Sequence, residues 1–213
     1  MDTTFPTRID SPCHVTPRTL NIYFTVTWVC LVVGYLLMLP AGFFLAVINF
    51  FIPATQNSTV VLLFFGSILL ALIGFVALIA MIVFWAMLHY QLWKLIPKDI
   101  ARITPGIAVG LLFIPFFNFY WVFVSCLGLC KSMNLALQQC CVQHRVSELL
   151  ALVYCILCIV CSTIPVVAWF LLFGSILEFI VVFVNMTVIV VVFICFYKSV
   201  VDGAIALIEQ SKV

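Results

Sequence analysis

The sequence predicts an all-α integral membrane protein, a helical bundle within the bilayer. Hydrophobic residues make up 67% of the chain and charged residues 8%, whereas a soluble domain carries roughly 25% charged residues. The mean hydropathy is +1.37, and the apolar runs are long enough for helices of about 20 residues, the length that crosses the hydrocarbon core. The chain has 213 residues, which leaves no room for a soluble catalytic domain beside the spans.

Four long apolar runs predict four transmembrane helices. We expect residues 1–19 to form a cytoplasmic tail, 20–198 a single transmembrane domain, and 199–213 a second cytoplasmic tail. No charged residue occurs between Thr19 and Trp93, so this run fits two helices separated by the polar residues 53–59. The predicted spans are 23–51, 60–93, 149–173 and 176–197.

The stretch 104–130, TPGIAVGLLFIPFFNFYWVFVSCLGLC, is predicted to be a re-entrant helical element. It carries no charge, and Arg102 and Lys131 bracket it. If the stretch enters and leaves on one side, every Lys and Arg of the chain lies on the cytoplasmic side, as membrane proteins prefer. Pro115 also favours this topology, because proline breaks a helix. The alternative is five transmembrane helices, since the stretch is long enough to span.

The residues of this stretch predict how it packs. Gly106 and Gly110 form a GxxxG pair, a spacing that lets a neighbouring helix approach closely. The amide of Asn118 can bond backbone groups that the break exposes. Tyr120 and Trp121 are suited to a membrane interface. We expect a packed structural wedge, and the alternative is a break that lines a pore or binds a substrate.

The residues of this stretch resemble a signature of bacterial multi-span membrane proteins of unassigned function. In that group TPGxAVGxxFIPFFNxYW follows a WKxIP-like segment, which here is Trp93–Pro97. The resemblance implies a bacterial membrane protein and carries over no catalytic residue. Ile107 stands where the pattern of the group has a Lys, so a charge at this position is not essential here.

Single polar and thiol residues give weaker signals. His89 is interpreted as an anchor at the membrane–water interface, with a ligand or proton carrier as the alternative. Cys155, Cys158 and Cys161 recur at three-residue spacing, but inside an apolar span we expect them to pack as small hydrophobic residues rather than bind a cluster. Asn185 lies within a span and is expected to bond a neighbouring helix.

Small residues on the second span predict close helix packing. Ser67, Ala71 and Gly74 fall on one helical face, and small residues at that spacing let two helices approach. We expect packing within the chain, with a dimer interface as the alternative. Glu178 is the only acid in the apolar region and is expected near the outer interface.

The function expected from these observations is non-enzymatic. The sequence holds no nucleophile–base pair, HExxH motif, phosphate loop or pair of carboxylates, so we predict no catalytic activity, cofactor or metal. We expect a multi-pass protein that assembles with or supports other components of a bacterial inner membrane, with both termini cytoplasmic. Its expected partners are the lipid bilayer, a second copy of the chain or other membrane proteins, and no nucleic acid. The alternative is a transporter or channel for an uncharged or apolar solute that uses the broken element 104–130.

Overall fold

The computed structural model describes residues 15–51, 58–172 and 176–210, and this part of the chain is all-α. The predicted fold class is therefore confirmed. The α-helices are, in chain order, α1 (Pro17–Phe51), α2 (Ser58–Leu95), α3 (Pro105–Gly110), α4 (Asn118–Val122), α5 (Gly128–Gln139), α6 (Glu148–Leu172) and α7 (Ile176–Gln210).

Four helical segments are long and apolar enough to cross a membrane, namely Pro17–Met38, Val61–Leu95, Asn118–Gln139 and Ile180–Gln210. A shorter apolar helix covers Glu148–Ile164 in α6. The exposed side chains of α2 are mostly aliphatic or aromatic, which is the kind of surface that lipid covers. The chain is thus a helical membrane protein. The segment Asn118–Gln139 has the length that the five-span alternative requires.

Some sequence predictions fall on residues outside those ranges. The polar loop expected at 53–59 lies largely in 52–57, and the short connection between the predicted spans 149–173 and 176–197 lies in 173–175, neither of which is described. The side chain of Glu178 and most of the N-terminal tail are likewise outside the described part. At the other end, α7 continues as one helix through most of the expected C-terminal tail.

Two compact units divide the chain. The first contains Met1–Thr25, Trp85–Ile159 and Val191–Val213, and the second contains Val26–Phe84 and Val160–Val190. The first unit therefore holds α3, α4 and α5 together with parts of the four long helices.

In the second unit, α1 and α2 meet at two glycines. A Cβ atom built on Gly34 would lie 3.3 Å from the Gly74 carbonyl oxygen, and one built on Gly74 would lie 3.3 Å from the Gly34 carbonyl oxygen. Gly74 and Ser67 on the same face of α2 are buried. The predicted packing of this small-residue face within the chain is confirmed, because side chains here would hold the two backbones apart.

Hydrogen bonds to backbone carbonyls join the other helices of the second unit. Asn185 Nδ2 donates to the Cys161 carbonyl at 3.1 Å, which links α7 to α6 and confirms the expected role of this amide. Tyr35 on α1 donates its hydroxyl to the Phe183 carbonyl of α7 at 3.0 Å. Inside a membrane such polar groups need partners, because no water is present to bind them.

In the first unit, α5 ends in a tight cap. The backbone N–H of Cys141 donates to Gln138 at 3.1 Å, and that of Val142 donates to Leu137 at 3.0 Å. Cys141 has φ 56, the left-handed conformation that this type of cap requires at the residue after the helix. The chain therefore turns sharply as soon as α5 ends.

One amide then holds the connection from α5 to α6. Asn134 Nδ2 donates to the Val146 carbonyl at 2.9 Å, and the Val146 N–H donates to Asn134 Oδ1 at 2.8 Å. The same Nδ2 atom lies 3.2 Å from Glu148 Oε1. Val146 also packs on α7 at Gly203, where an added Cβ would meet Val146 Cγ2 at 2.8 Å. The connection is thus fixed to both α5 and α7.

Candidate functional site

The stretch 104–130 folds as a broken helix. After α3, a 3-10 turn covers Leu111–Phe113, and the chain does not return to a helix until Asn118. Pro115 lies in this gap, as its helix-breaking character predicts. Phe116 has φ 62, a left-handed conformation that costs a non-glycine residue roughly 1–3 kcal/mol. The surrounding structure must therefore hold the break in place.

A π-helical turn separates α4 from α5 and forms the inner side of the break. It covers Phe123–Leu127, and its residues Ser125 and Cys126 are fully buried. A π turn is wider than an α turn and redirects the side chains that it carries. In this turn Ser125 is directed to α2, and the carbonyl of the preceding Val122 accepts a hydrogen bond from the Cys155 thiol at 3.5 Å.

A continuous chain of hydrogen bonds, the break network, joins α2, α3, α4, the π turn and α7. His89 is its fully buried centre, with Nε2 2.7 Å from Ser125 Oγ and Nδ1 3.1 Å from the Tyr197 hydroxyl. Ser125 Oγ donates to the Ala108 carbonyl at 2.9 Å. The two outer members are indoles: Trp121 Nε1 donates to the same carbonyl at 3.2 Å, and Trp85 Nε1 donates to the Tyr197 hydroxyl at 2.6 Å.

The partners fix the positions of the protons in this network. Ser125 has one hydroxyl proton, and it is donated to the Ala108 carbonyl. Nε2 of His89 must therefore be the donor in its hydrogen bond with the serine oxygen. Tyr197 accepts from Trp85, and its own proton then goes to Nδ1 of His89. The arrangement that gives every proton an acceptor therefore has a neutral imidazole with its proton on Nε2.

Aromatic rings surround the imidazole of His89. The indole of Trp85 is stacked on it, with ring centroids 5.7 Å apart, and the ring of Tyr197 meets it edge to face at 6.1 Å. Phe113 of the 3-10 turn packs edge to face on the same indole at 6.5 Å. The hydrogen bonds of the network thus lie in an apolar setting, where they are stronger than in water and where losing a partner is costly.

The structure corrects the predicted position of His89. An interfacial anchor would be partly exposed, but His89 is completely buried and Trp93 is 1% exposed. Leu88 and Leu92 on the same part of α2 are also fully buried. The interfacial interpretation is wrong because other elements of the first unit cover this end of α2.

The predicted role of Asn118 is also wrong. Its side chain is exposed and makes no hydrogen bond with the described residues, although its backbone N–H donates to Ile114 at 3.0 Å. The carbonyl that accepts side-chain hydrogen bonds near the break is that of Ala108, and its donors are Trp121 and Ser125. Asn118 opens α4 on its outer face and therefore cannot reach that carbonyl.

The glycine pair of α3 does not receive a helix from within the described chain. A Cβ atom built on Gly106 or on Gly110 would meet nothing within 4 Å. The packed side of this short helix carries Ala108, which is 0% exposed. The predicted close approach is wrong within the chain, because the two glycines lie on the opposite, open face.

Tyr120 and Trp121 take different positions. Tyr120 is 65% exposed, and Phe116 beside it in the break is 86% exposed. Trp121 is half-buried, because its indole turns inward to the Ala108 carbonyl. The break thus presents the rings of Phe116 and Tyr120 outward, whereas the indole N–H of Trp121 is directed inward.

The cysteines of α6 pack among apolar side chains. Cys155 and Cys161 are buried, as expected of small hydrophobic residues, and Cys158 is partly buried. Among the described residues, no group of three His, Cys, Asp or Glu side chains comes together that could hold a metal ion.

A second feature of the first unit is a polar cavity of about 540 Å3. Arg102, before the broken stretch, and Lys131, after it, both line this cavity. His144 and Arg145, from the connection between α5 and α6, also line it. The cavity therefore brings together basic residues that the sequence places on three separate segments.

A scan against protein-family models and searches of curated proteins and of solved structures found no match. The resemblance to the bacterial membrane proteins therefore rests on the motif itself and stays a prediction.

Proposed function

We propose that the protein is a non-enzymatic multi-pass membrane protein that assembles with or supports other membrane proteins, and that the broken stretch is a packed wedge. The break network carries this proposal. A binding or catalytic site needs polar groups that are free to meet a substrate. In the network His89, Ser125 and Tyr197 are all engaged with one another or with backbone, which supports a structural role.

We infer a re-entrant topology for the wedge. Arg102 and Lys131 line the same cavity, which supports entry and exit on one side of the membrane. The contact of Ala108 with Trp121 and Ser125 supports the same topology, because it ties the first arm of the stretch to the second. A single span would carry its two ends to opposite sides.

The bias of basic residues assigns that side to the cytoplasm. Arg18 lies in the first turn of α1, and Lys198 lies in α7 directly after the predicted span 176–197, so both termini are cytoplasmic if basic residues stay inside. Together with the resemblance of the motif to bacterial proteins, this bias supports a location in a bacterial inner membrane.

Access of a thiol reagent to Cys126 tests the wedge. Cys126 follows Ser125 and is 0% exposed. In proteoliposomes, a variant that retains Cys126 and has Ala at the other cysteines should resist a membrane-impermeant maleimide added on either side. A matched variant that retains the exposed Cys141 instead should react. Rapid labelling of Cys126 would contradict the wedge.

The same measurement addresses the alternative function, transport of an uncharged or apolar solute. The interrupted helix favours this alternative, because transporters build their sites from discontinuous helices. A transporter that alternates access exposes its break to water in one of its states. If Cys126 reacts with the maleimide and an added solute lowers the rate of this reaction, the result would therefore support transport.

Photo-crosslinking tests the assembly role itself. A photoreactive phenylalanine at position 120, where the native Tyr120 side chain is 65% exposed, should form a crosslinked species of defined mass in native membranes with a second copy or one other membrane protein. The same group at position 193, where Phe193 is 7% exposed, is the control and should react within the chain. Lipid adducts alone at position 120 would contradict an assembly role for this face.

A further inference from the structure

We propose that the cavity between the two ends of the broken stretch, the basic cavity, binds a phosphate-bearing anion. The geometry points to the head group of an anionic phospholipid as its source in the membrane. This inference goes beyond the proposed function and does not depend on it, because it rests on other residues. The residues that line the basic cavity include Arg102, Lys131, Leu135, His144, Arg145 and Glu148.

The charge of the basic cavity is strongly positive for this chain. Three of the nine Lys and Arg residues line it, namely Arg102, Lys131 and Arg145. One carboxylate, that of Glu148, opposes them, and Asn134 Nδ2 binds it at 3.2 Å. Within the part of the chain that the structure describes, no ion pair occupies the three cations. They are therefore available to an anion.

The types of donor fit a phosphate group. A guanidinium presents paired N–H groups that match two phosphate oxygens, and Arg102 and Arg145 each supply one. The ammonium of Lys131 adds a point charge, and the ring of His144 adds a further hydrogen-bonding group. A carboxylate or a halide would use fewer of these donors.

The wall that carries Arg145 is held in place before any ligand binds. Asn134 fixes the neighbouring Val146 through two hydrogen bonds. Val146 packs on Gly203, and the His144 ring lies 3.5 Å from where a Cβ of that glycine would stand. Binding therefore orders fewer groups than it would on a free loop, and a preformed site has higher affinity for that reason.

The position of the cavity favours a lipid over a free anion. Lys131 directly follows the stretch 104–130, which holds no charged residue, so the cavity begins where an apolar stretch ends. Leu135, one turn after Lys131, lines the cavity and is 48% exposed. A phospholipid can place its phosphate on the cations and its glycerol and acyl carbons on Leu135. Basic pockets of this kind beside membrane helices bind anionic head groups.

The experiment measures lipid binding to the intact protein in detergent by native mass spectrometry and by the shift of the unfolding midpoint. The probes are phosphatidylglycerol, phosphatidylcholine and inorganic phosphate. The cavity variant is Arg102→Gln with Lys131→Gln. Its matched control, Arg18→Gln with Lys198→Gln, removes the same two charge types from exposed sites outside the cavity.

We expect phosphatidylglycerol to bind and stabilise the native protein and the control variant equally, and phosphatidylcholine to do so less. In the cavity variant, the Kd for phosphatidylglycerol should rise about tenfold for each lost cation. If inorganic phosphate alone stabilises the native protein and competes with the lipid, the site is confirmed with a free anion as a second source. Equal loss of lipid binding in the cavity and control variants would overturn the proposal.

A charge-conserving variant separates binding from folding. Arg102→Lys with Lys131→Arg keeps both cations, so it should retain most of the lipid binding even if the neutral variant unfolds. Arg145→Gln should weaken binding by itself, about as much as one lost cation. Unchanged affinity in a folded Arg145→Gln protein, together with unchanged affinity in the cavity variant, would exclude the site.

Discussion

Nε2 of His89 lies 2.7 Å from Ser125 Oγ, and this bond joins α2 to the π turn of the broken stretch. The serine hydroxyl donates a hydrogen bond to the Ala108 carbonyl on the first arm of the stretch. One buried imidazole therefore fixes both arms of the break to the same helix. Its other nitrogen is held by Tyr197 on α7, so the ring has no free position.

Tyr197→Phe should destabilise the protein more than removal of an exposed hydroxyl. The change leaves Trp85 Nε1 without an acceptor and His89 Nδ1 without a donor, and each unsatisfied buried group costs about 1–3 kcal/mol. The thermal unfolding midpoint in a fixed detergent measures the effect. Tyr120→Phe is the control, because Tyr120 is 65% exposed. Similar unfolding midpoints for the two variants would contradict the claim that the break network stabilises the protein.

Gly74→Leu should destabilise the contact of α1 with α2. The added side chain would meet the Gly34 carbonyl and the side chains of Leu37 and Met38, all within 3.3 Å of the built Cβ, and overpacking costs about 1–3 kcal/mol. Gly110→Leu makes the same change on α3, where the built Cβ meets nothing within 4 Å. We expect a lower unfolding midpoint for the first variant and little change for the second, and the reverse order would contradict this packing.

The close packing predicted for the helical face that carries Gly74 is found, but the close packing predicted for Gly106 and Gly110 of α3 is not found within the described chain. In both places the argument was spacing on one helical face, and spacing is a local property. Whether a neighbour covers that face depends on where the other helices pack, which no local pattern records. Gly74 faces Gly34 of α1, whereas Gly106 and Gly110 face away from the rest of the described chain.

His89 shows the same limit at the candidate site. The run length and charge of the chain predicted membrane helices, and Pro115 predicted the break, because these depend on composition and on local backbone chemistry. The residues around His89, from Tyr90 to Lys94, are typical of a membrane interface. Its burial depends on Ser125 and Tyr197, which are 36 and 108 residues away in the chain. Sequence spacing within α2 carries no information about such partners.

Asn134→Leu should destabilise the connection from α5 to α6. The amide makes two hydrogen bonds with the backbone of Val146 and one with Glu148, and the variant loses all three. We expect a loss of about 1–3 kcal/mol from the unpaired groups, together with faster proteolysis between residues 140 and 147. Asn118→Leu is the control and should cost little, because its amide has no partner among the described residues. A larger effect of Asn118→Leu would restore the role first expected for it.

Single cysteines at positions 104 and 131 should be labelled from the same side of the membrane. In a background without native cysteines, a membrane-impermeant maleimide added to inverted vesicles should modify both Thr104→Cys and Lys131→Cys, since Arg102 and Lys131 line one cavity. Right-side-out vesicles supply the control and should leave both unmodified. Labelling of the two positions from opposite sides would establish five spans in place of the re-entrant stretch.

The most direct test of the closed break is the protonation of His89, measured by 15N solid-state NMR in lipid bilayers. The chain has 3 histidines, and the signals of His89 are assigned by their loss in His89→Gln. The structure predicts a single neutral form, with the proton on Nε2 and with Nδ1 unprotonated, and Ser125→Ala should shift the Nε2 signal. A proton on Nδ1, or an imidazole that exchanges between forms as a solvent-exposed ring does, would contradict the break network.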